Sequence, residues 1–120
     1  MKHFLICLLL LGGGLHVSGQ DGYYMRMANK YQNEAEYYTR QAMKYEREVE
    51  YYNRRAQGYL REAEYYSKHQ NYDKVKTYQR WAAEATEKAE TNSRYAENAR
   101  ERSQDYMRKA KIMLQKAEKL

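Results

Sequence analysis

Tyrosine is the residue of this chain with the most chemistry to offer, and its spacing is regular. Of fifteen tyrosines, eight stand in four adjacent pairs at 23/24, 37/38, 51/52 and 65/66, a constant step of fourteen. A phenol hydrogen-bonds, stacks, and can be oxidised to a catechol or to dityrosine. Arg26, Arg40 and Arg54 each follow the first tyrosine of a pair by three residues, with Lys68 completing the series. On a helix that spacing puts cation and ring on one face, within reach of a cation–π contact. Tyr23, Tyr37, Tyr51 and Tyr65 with Arg26, Arg40 and Arg54 therefore form the candidate interaction face.

Other chemistries lack their residues. The only cysteine is Cys7, and beyond Gly19 the only histidine is His69. A metal centre needs several convergent ligands, and a hydrolytic site needs a nucleophile, a base and an orienting group. Glu34/Glu36 and Glu62/Glu64 are two residues apart, so on a helix their carboxylates diverge. No catalytic residue, cofactor or metal ligand is expected, and the chain reads as a non-enzyme.

The tyrosines must be positioned by helices. Tyr24, Ala28, Tyr31, Ala35, Tyr38, Ala42, Tyr45, Val49, Tyr52, Ala56, Tyr59, Ala63 and Tyr66 are spaced 4, 3, 4, 3 throughout. That is a coiled-coil seam, and fourteen residues are two heptads. Ala, Glu, Arg, Lys and Gln fill the positions between, and proline is absent. In this frame the first tyrosine of each pair takes heptad position c and the second takes d. The c-position rings face water in a two-helix structure, at intervals of about 21 Å by helical rise. In a larger bundle they would bury against further helices.

A second seam runs through Val75, Tyr78, Ala82, Ala85, Ala89, Asn92, Ala96, Ala99, Ser103, Tyr106, Ala110, Met113, Ala117 and Leu120. It is out of phase with the first, whose frame would bury Asp73, Arg80 and Glu84 if continued. The chain either turns near Ser67 to Asp73 or slips frame as one long helix that dimerises in parallel. The preferred reading is an all-α antiparallel helical hairpin: a helix at about 22–68, a turn at about 68–72 with Asn71 or Ser67 as cap, and a helix at about 73–119. Folding back with residue i facing 141 − i sets Tyr38 opposite Ser103, Tyr45 opposite Ala96 and Tyr59 opposite Ala82. Tyr78 and Tyr106 then face Ala63 and Ala35, so large meets small. An Ala/Tyr seam buries little aliphatic surface, and association into dimers or bundles is expected.

Met1 to Gly19 is a different material. A short basic start, the apolar run Phe4 to Leu11, and Val17-Ser18-Gly19 ahead of Gln20 read as a secretory signal peptide cleaved between Gly19 and Gln20. The run is too short for the roughly 20 apolar residues of a membrane span. Residues 20–120 then form the helical rod, extracellular and free of thiols, with 21 Lys+Arg against 16 Asp+Glu. Secretion argues against nucleic acid as the partner of this basic, aromatic surface. A membrane-surface helix would need a continuous apolar face, which an Ala/Tyr seam lacks.

A secreted, basic, tyrosine-rich, proline-free chain of short repeats resembles invertebrate extracellular structural proteins, notably small molluscan mantle and shell-matrix proteins and byssal or silk-like coiled-coil proteins. The resemblance spans Gln20 to Leu120 and is one of composition. It implies a structural component of a secreted matrix, of biomineral or adhesive kind. Partners would be other copies, other matrix proteins, an anionic polysaccharide or a mineral surface. The alternative is a soluble secreted binding module that recognises an anionic or aromatic ligand along a Tyr-lined groove.

Overall fold

The structure is a computed structural model describing residues 19–119. Residues 1–18 of the predicted signal peptide, and Leu120, lie outside the described residues. Two helices account for all of these but 69–71 and Lys119: α1, Gly19–Lys68, and α2, Tyr72–Glu118. The chain is a helical hairpin, and its helices pack as two compact units. One unites α1 up to Glu34 with α2 from Asp105 onward, and the other is Ala35–Gln104, which contains the turn.

The turn is built by backbone hydrogen bonds at the end of α1. Gln70 N–H donates to Ser67 C=O at 3.1 Å, and Asn71 N–H donates to Tyr66 C=O at 2.9 Å. This pair of bonds is the Schellman motif, which needs its C′ residue in the left-handed region. Gln70 occupies that place with φ 56°. Of the two predicted caps, Asn71 starts α2. Its side-chain oxygen accepts from Lys74 N–H at 3.4 Å, and its carbonyl accepts from Val75 N–H at 3.1 Å. Asp73 in the first turn and Lys116 in the last complement the dipole of α2.

Alanine is the core. In the Ala35–Gln104 unit the buried apolar residues are Ala35, Ala42, Ala56, Ala63, Ala82, Ala85, Ala89, Ala96 and Ala99. In the terminal unit they are Ala28 and Ala110, joined by the buried amide Gln32. The seam tyrosines lie less deep than the alanines: all seven d-position tyrosines of α1 are only half-buried. A ring rooted on the seam extends past the small alanines opposite and emerges at the edge of the helix pair. Tyr78 packs on the Tyr66 ring, stacked at 5.6 Å, and Tyr106 lies 6.0 Å from Tyr31. Large residues thus meet each other diagonally as well as meeting small ones directly.

Polar contacts hold the register. Ser103 Oγ donates to Ala35 C=O at 2.9 Å, and Thr39 Oγ1 lies 2.7 Å from Ser103 Oγ. Ser103 thereby straddles Tyr38, the residue at 141 minus 103. Arg100 pairs with Glu46 across the same helices.

Candidate functional site

The four c-position tyrosines are half exposed, Tyr23 at 52%, Tyr37 and Tyr51 at 49% and Tyr65 at 53%. Each makes an edge-to-face contact with the d-position tyrosine that follows it. Centroids are 5.5 Å apart for Tyr23/Tyr24 and 5.1 Å for 37/38, 51/52 and 65/66. Adjacent residues on a helix diverge by about 100°, yet the two rings of each pair meet. Such pairs contribute roughly 0.5–1.5 kcal/mol beyond area burial.

The cations within cation–π range are not the expected ones. Arg26 and Arg40 are exposed, and Arg54 pairs with Glu50 one turn back. Apart from Arg55, the bases that cover rings come from α2. Lys74 lies over Tyr66 at 4.6 Å, Lys88 over Tyr52 at 5.5 Å and Arg102 over Tyr38 at 5.5 Å. In the terminal unit Lys116 covers Tyr24 at 5.9 Å and Lys109 covers Tyr31 at 5.8 Å. Two further d-position rings meet aromatics instead, Tyr45 with Tyr95 at 5.4 Å and Tyr59 with Trp81 at 5.7 Å.

These seven α2 residues, 74, 81, 88, 95, 102, 109 and 116, recur every seventh position. They are the g column of the second heptad frame, one residue short of the facing position, and every member is basic or aromatic. Lys74, Lys88, Arg102 and Lys116 are fourteen apart, matching the tyrosine pairs of α1. The result is a triad of exposed phenol, half-buried phenol and base: 65/66/74, 51/52/88 and 37/38/102 in one unit, and 23/24/116 in the other. The column flanks the seam, and heptad spacing of the core residues alone does not mark it.

Arg55 adds a cation from α1 itself. Its Nη1 donates to the Tyr51 phenol at 3.1 Å and its Nη2 to the Tyr59 phenol, and its guanidinium carbon lies 5.6 and 5.5 Å from the two ring centroids. The Tyr59 phenol first, then that of Tyr51, favours the charged guanidinium and raises its pKa above the ordinary value. Arg55 thus stands between the exposed Tyr51 and the half-buried Tyr59.

Beside it lies an open groove of about 290 Å³, with Ala85 at its base, Tyr52, Tyr59 and Trp81 as aromatic walls, and Arg55, Lys88 and Glu84 as charged rim. Ala56 and Ala85, both buried, oppose each other in the register at this level, as Ala42 and Ala99 do between Tyr38 and Tyr45.

At the predicted cleavage site, Gly19 is exposed in the first turn of α1, and Gln20 follows it. Among the described residues no group of three or more His, Cys, Asp and Glu could hold a metal ion, and no helix is long and apolar enough to cross a membrane. No protein-family model, curated protein or solved structure matches the chain.

Proposed function

We propose that this protein is a secreted structural component of an extracellular matrix and not an enzyme, associating through its helical faces. The observation that supports this reading is the repeated triad, in which a phenol exposed by about half stands beside a covered ring and a base at fourteen-residue intervals. A repeated surface of one kind suits repeated contacts with other copies, with an anionic polysaccharide or with a mineral face. Tyrosine supplies large contact area at low entropic cost, and its hydroxyl hydrogen-bonds at wet interfaces.

Sedimentation of the chain beginning at Gln20 tests the self-association. Concentration-dependent assembly is expected, and it should be lost when Tyr23, Tyr37, Tyr51 and Tyr65 are replaced together by Gln. A monomer at all concentrations, or assembly indifferent to the four substitutions, overturns association through this face. The groove between Tyr52 and Tyr59 favours a second reading, a soluble secreted module that binds an anionic or aromatic ligand. A secreted chain that stays monomeric and freely soluble in its native setting would select it.

A further inference from the structure

We infer that the groove at Tyr52, Tyr59 and Trp81 is a binding site for an acidic sugar unit, a uronate residue within a polysaccharide. The inference rests on the matrix reading above and names the site and chemistry of its polysaccharide partner. Three features select this ligand. The walls are aromatic: Tyr59 and Trp81 stand in edge-to-face contact, 5.7 Å apart and 61° to one another, with Tyr52 beside them. Such surfaces suit the apolar C–H face of a pyranose ring, which is flat, carries no charge and sheds water readily.

The rim carries the complementary polar groups. Arg55 spends two donors on the phenols of Tyr51 and Tyr59 and keeps the remainder of its five for an acceptor. Those two bonds hold the guanidinium in place, and a held guanidinium binds a carboxylate by paired, charge-assisted bonds. Lys88, from the other helix, lies over Tyr52 and supplies a second cation on the same rim. Glu84 is the one carboxylate there, an acceptor for sugar hydroxyls that also disfavours a multiply charged anion such as phosphate.

The third feature is shape. At about 290 Å³ and open to solvent, the groove takes one ring of a chain whose neighbours continue outside it. It forms where the layer between two tyrosines is all alanine and where the α2 column carries Trp81 in place of a base. An internal polymer residue needs such an open-ended site, whereas a small free ligand is ordinarily enclosed on most of its surface.

Trp81 is the only tryptophan of the chain, so its emission reports on this groove alone. The probes are a hyaluronan hexasaccharide, which carries uronate, and the neutral hexamer of N-acetylglucosamine, each titrated at physiological salt by fluorescence and calorimetry. Saturable binding of the hyaluronan fragment with a change in Trp81 emission is expected, and no binding of the neutral hexamer. R55Q with K88Q should weaken binding by about tenfold or more, as expected for lost charge-assisted bonds. R61Q with K76Q, an equal charge change outside the groove, should weaken it less than about twofold, the residue of general attraction. Circular dichroism confirms that both double variants are folded. Equal losses in the two variants, an unmoved Trp81 emission, equal binding of the neutral hexamer, or no binding at all would each overturn the assignment. A matrix component that resists extraction but fails this titration would lose the groove and keep the matrix reading. Binding here by a freely extractable protein would do the reverse.

Discussion

The hydroxyl of Ser103 donates to the main-chain carbonyl of Ala35 at 2.9 Å, linking the two helices through a buried side chain. Because a serine hydroxyl has one proton, the 2.7 Å contact with Thr39 must be a bond that Thr39 donates. A slip of one heptad would set Ala96 or Ala110 in that place and leave both bonds unmade. In a seam of near-identical alanines, this polar contact distinguishes one register from its neighbours. Ser103→Ala should therefore destabilise the hairpin by about 1 kcal/mol, seen as a lower midpoint in chemical denaturation. Adding Thr39→Val should cost much less than it does alone, a coupling that a double-mutant cycle measures.

Two backbone positions should respond in the stabilising direction. A Cβ built at Gly58 meets nothing within 4 Å, so Gly58→Ala gains helix propensity without a clash, about 0.5–1 kcal/mol. Gln70 holds a left-handed conformation that glycine adopts freely, and Gln70→Gly should stabilise by roughly 0.5 kcal/mol. Gln70→Val should lose about 1–2 kcal/mol at the same place. Thermal melts followed by circular dichroism give all three signs.

The two tyrosines of each pair should separate in their effects. Tyr37→Gln, Tyr51→Gln and Tyr65→Gln, measured where the chain is monomeric, should each cost about 0.5–1 kcal/mol, the edge-to-face contact with the tyrosine that follows, since each residue is half exposed. Tyr45→Ala and Tyr59→Ala should cost roughly 1.5–2 kcal/mol, below the roughly 3–5 kcal/mol of a fully buried aromatic, because these rings are only half-buried. Denaturant midpoints of single variants are sufficient. Equal costs for both sets would contradict this separation.

How far the sequence could be read follows from which residues set each feature. The 4, 3 spacing from Tyr24 to Tyr66 and its phase break after Tyr66 were enough for helix and for a turn or a frame slip near Ser67 to Asp73, since burying Asp73, Arg80 and Glu84 is untenable; the backbone bonds of Gln70 and Asn71 that make it a turn do not show in the spacing. Asn71 was legible as a cap because its side chain offers an acceptor at the right offset. The depth of the rings was not legible: heptad spacing says that Tyr59 points at the seam, but the exposure of its ring depends on how small Ala82 and Ala85 are opposite. The cation column was present in the spacing of Lys74, Lys88, Arg102 and Lys116, yet only the antiparallel pairing brings it to the tyrosines. The groove brings Tyr52, Arg55 and Tyr59 of one helix to Trp81, Glu84 and Lys88 of the other, a meeting that neither seam displays by itself.

The cations over the rings should be replaceable at small but measurable cost. Lys88→Met and Arg102→Met keep much of the side-chain bulk and remove the charge, and each should destabilise by roughly 0.5 kcal/mol, as for exposed cation–π contacts. Arg54→Met, which breaks only an exposed ion pair with Glu50, should fall within about 0.3 kcal/mol of the parent. Chemical denaturation of the three variants side by side checks the ordering.

The most direct test of the proposed matrix role is extraction of the native protein from its source, followed by mass spectrometry of its N-terminus and of its acid hydrolysate. The expected result is a chain beginning at Gln20 that stays with the insoluble material in mild aqueous buffer and yields dityrosine or catechol on hydrolysis. Quantitative recovery in the first aqueous wash as an unmodified monomer, or a chain that retains Met1 to Gly19, would contradict it.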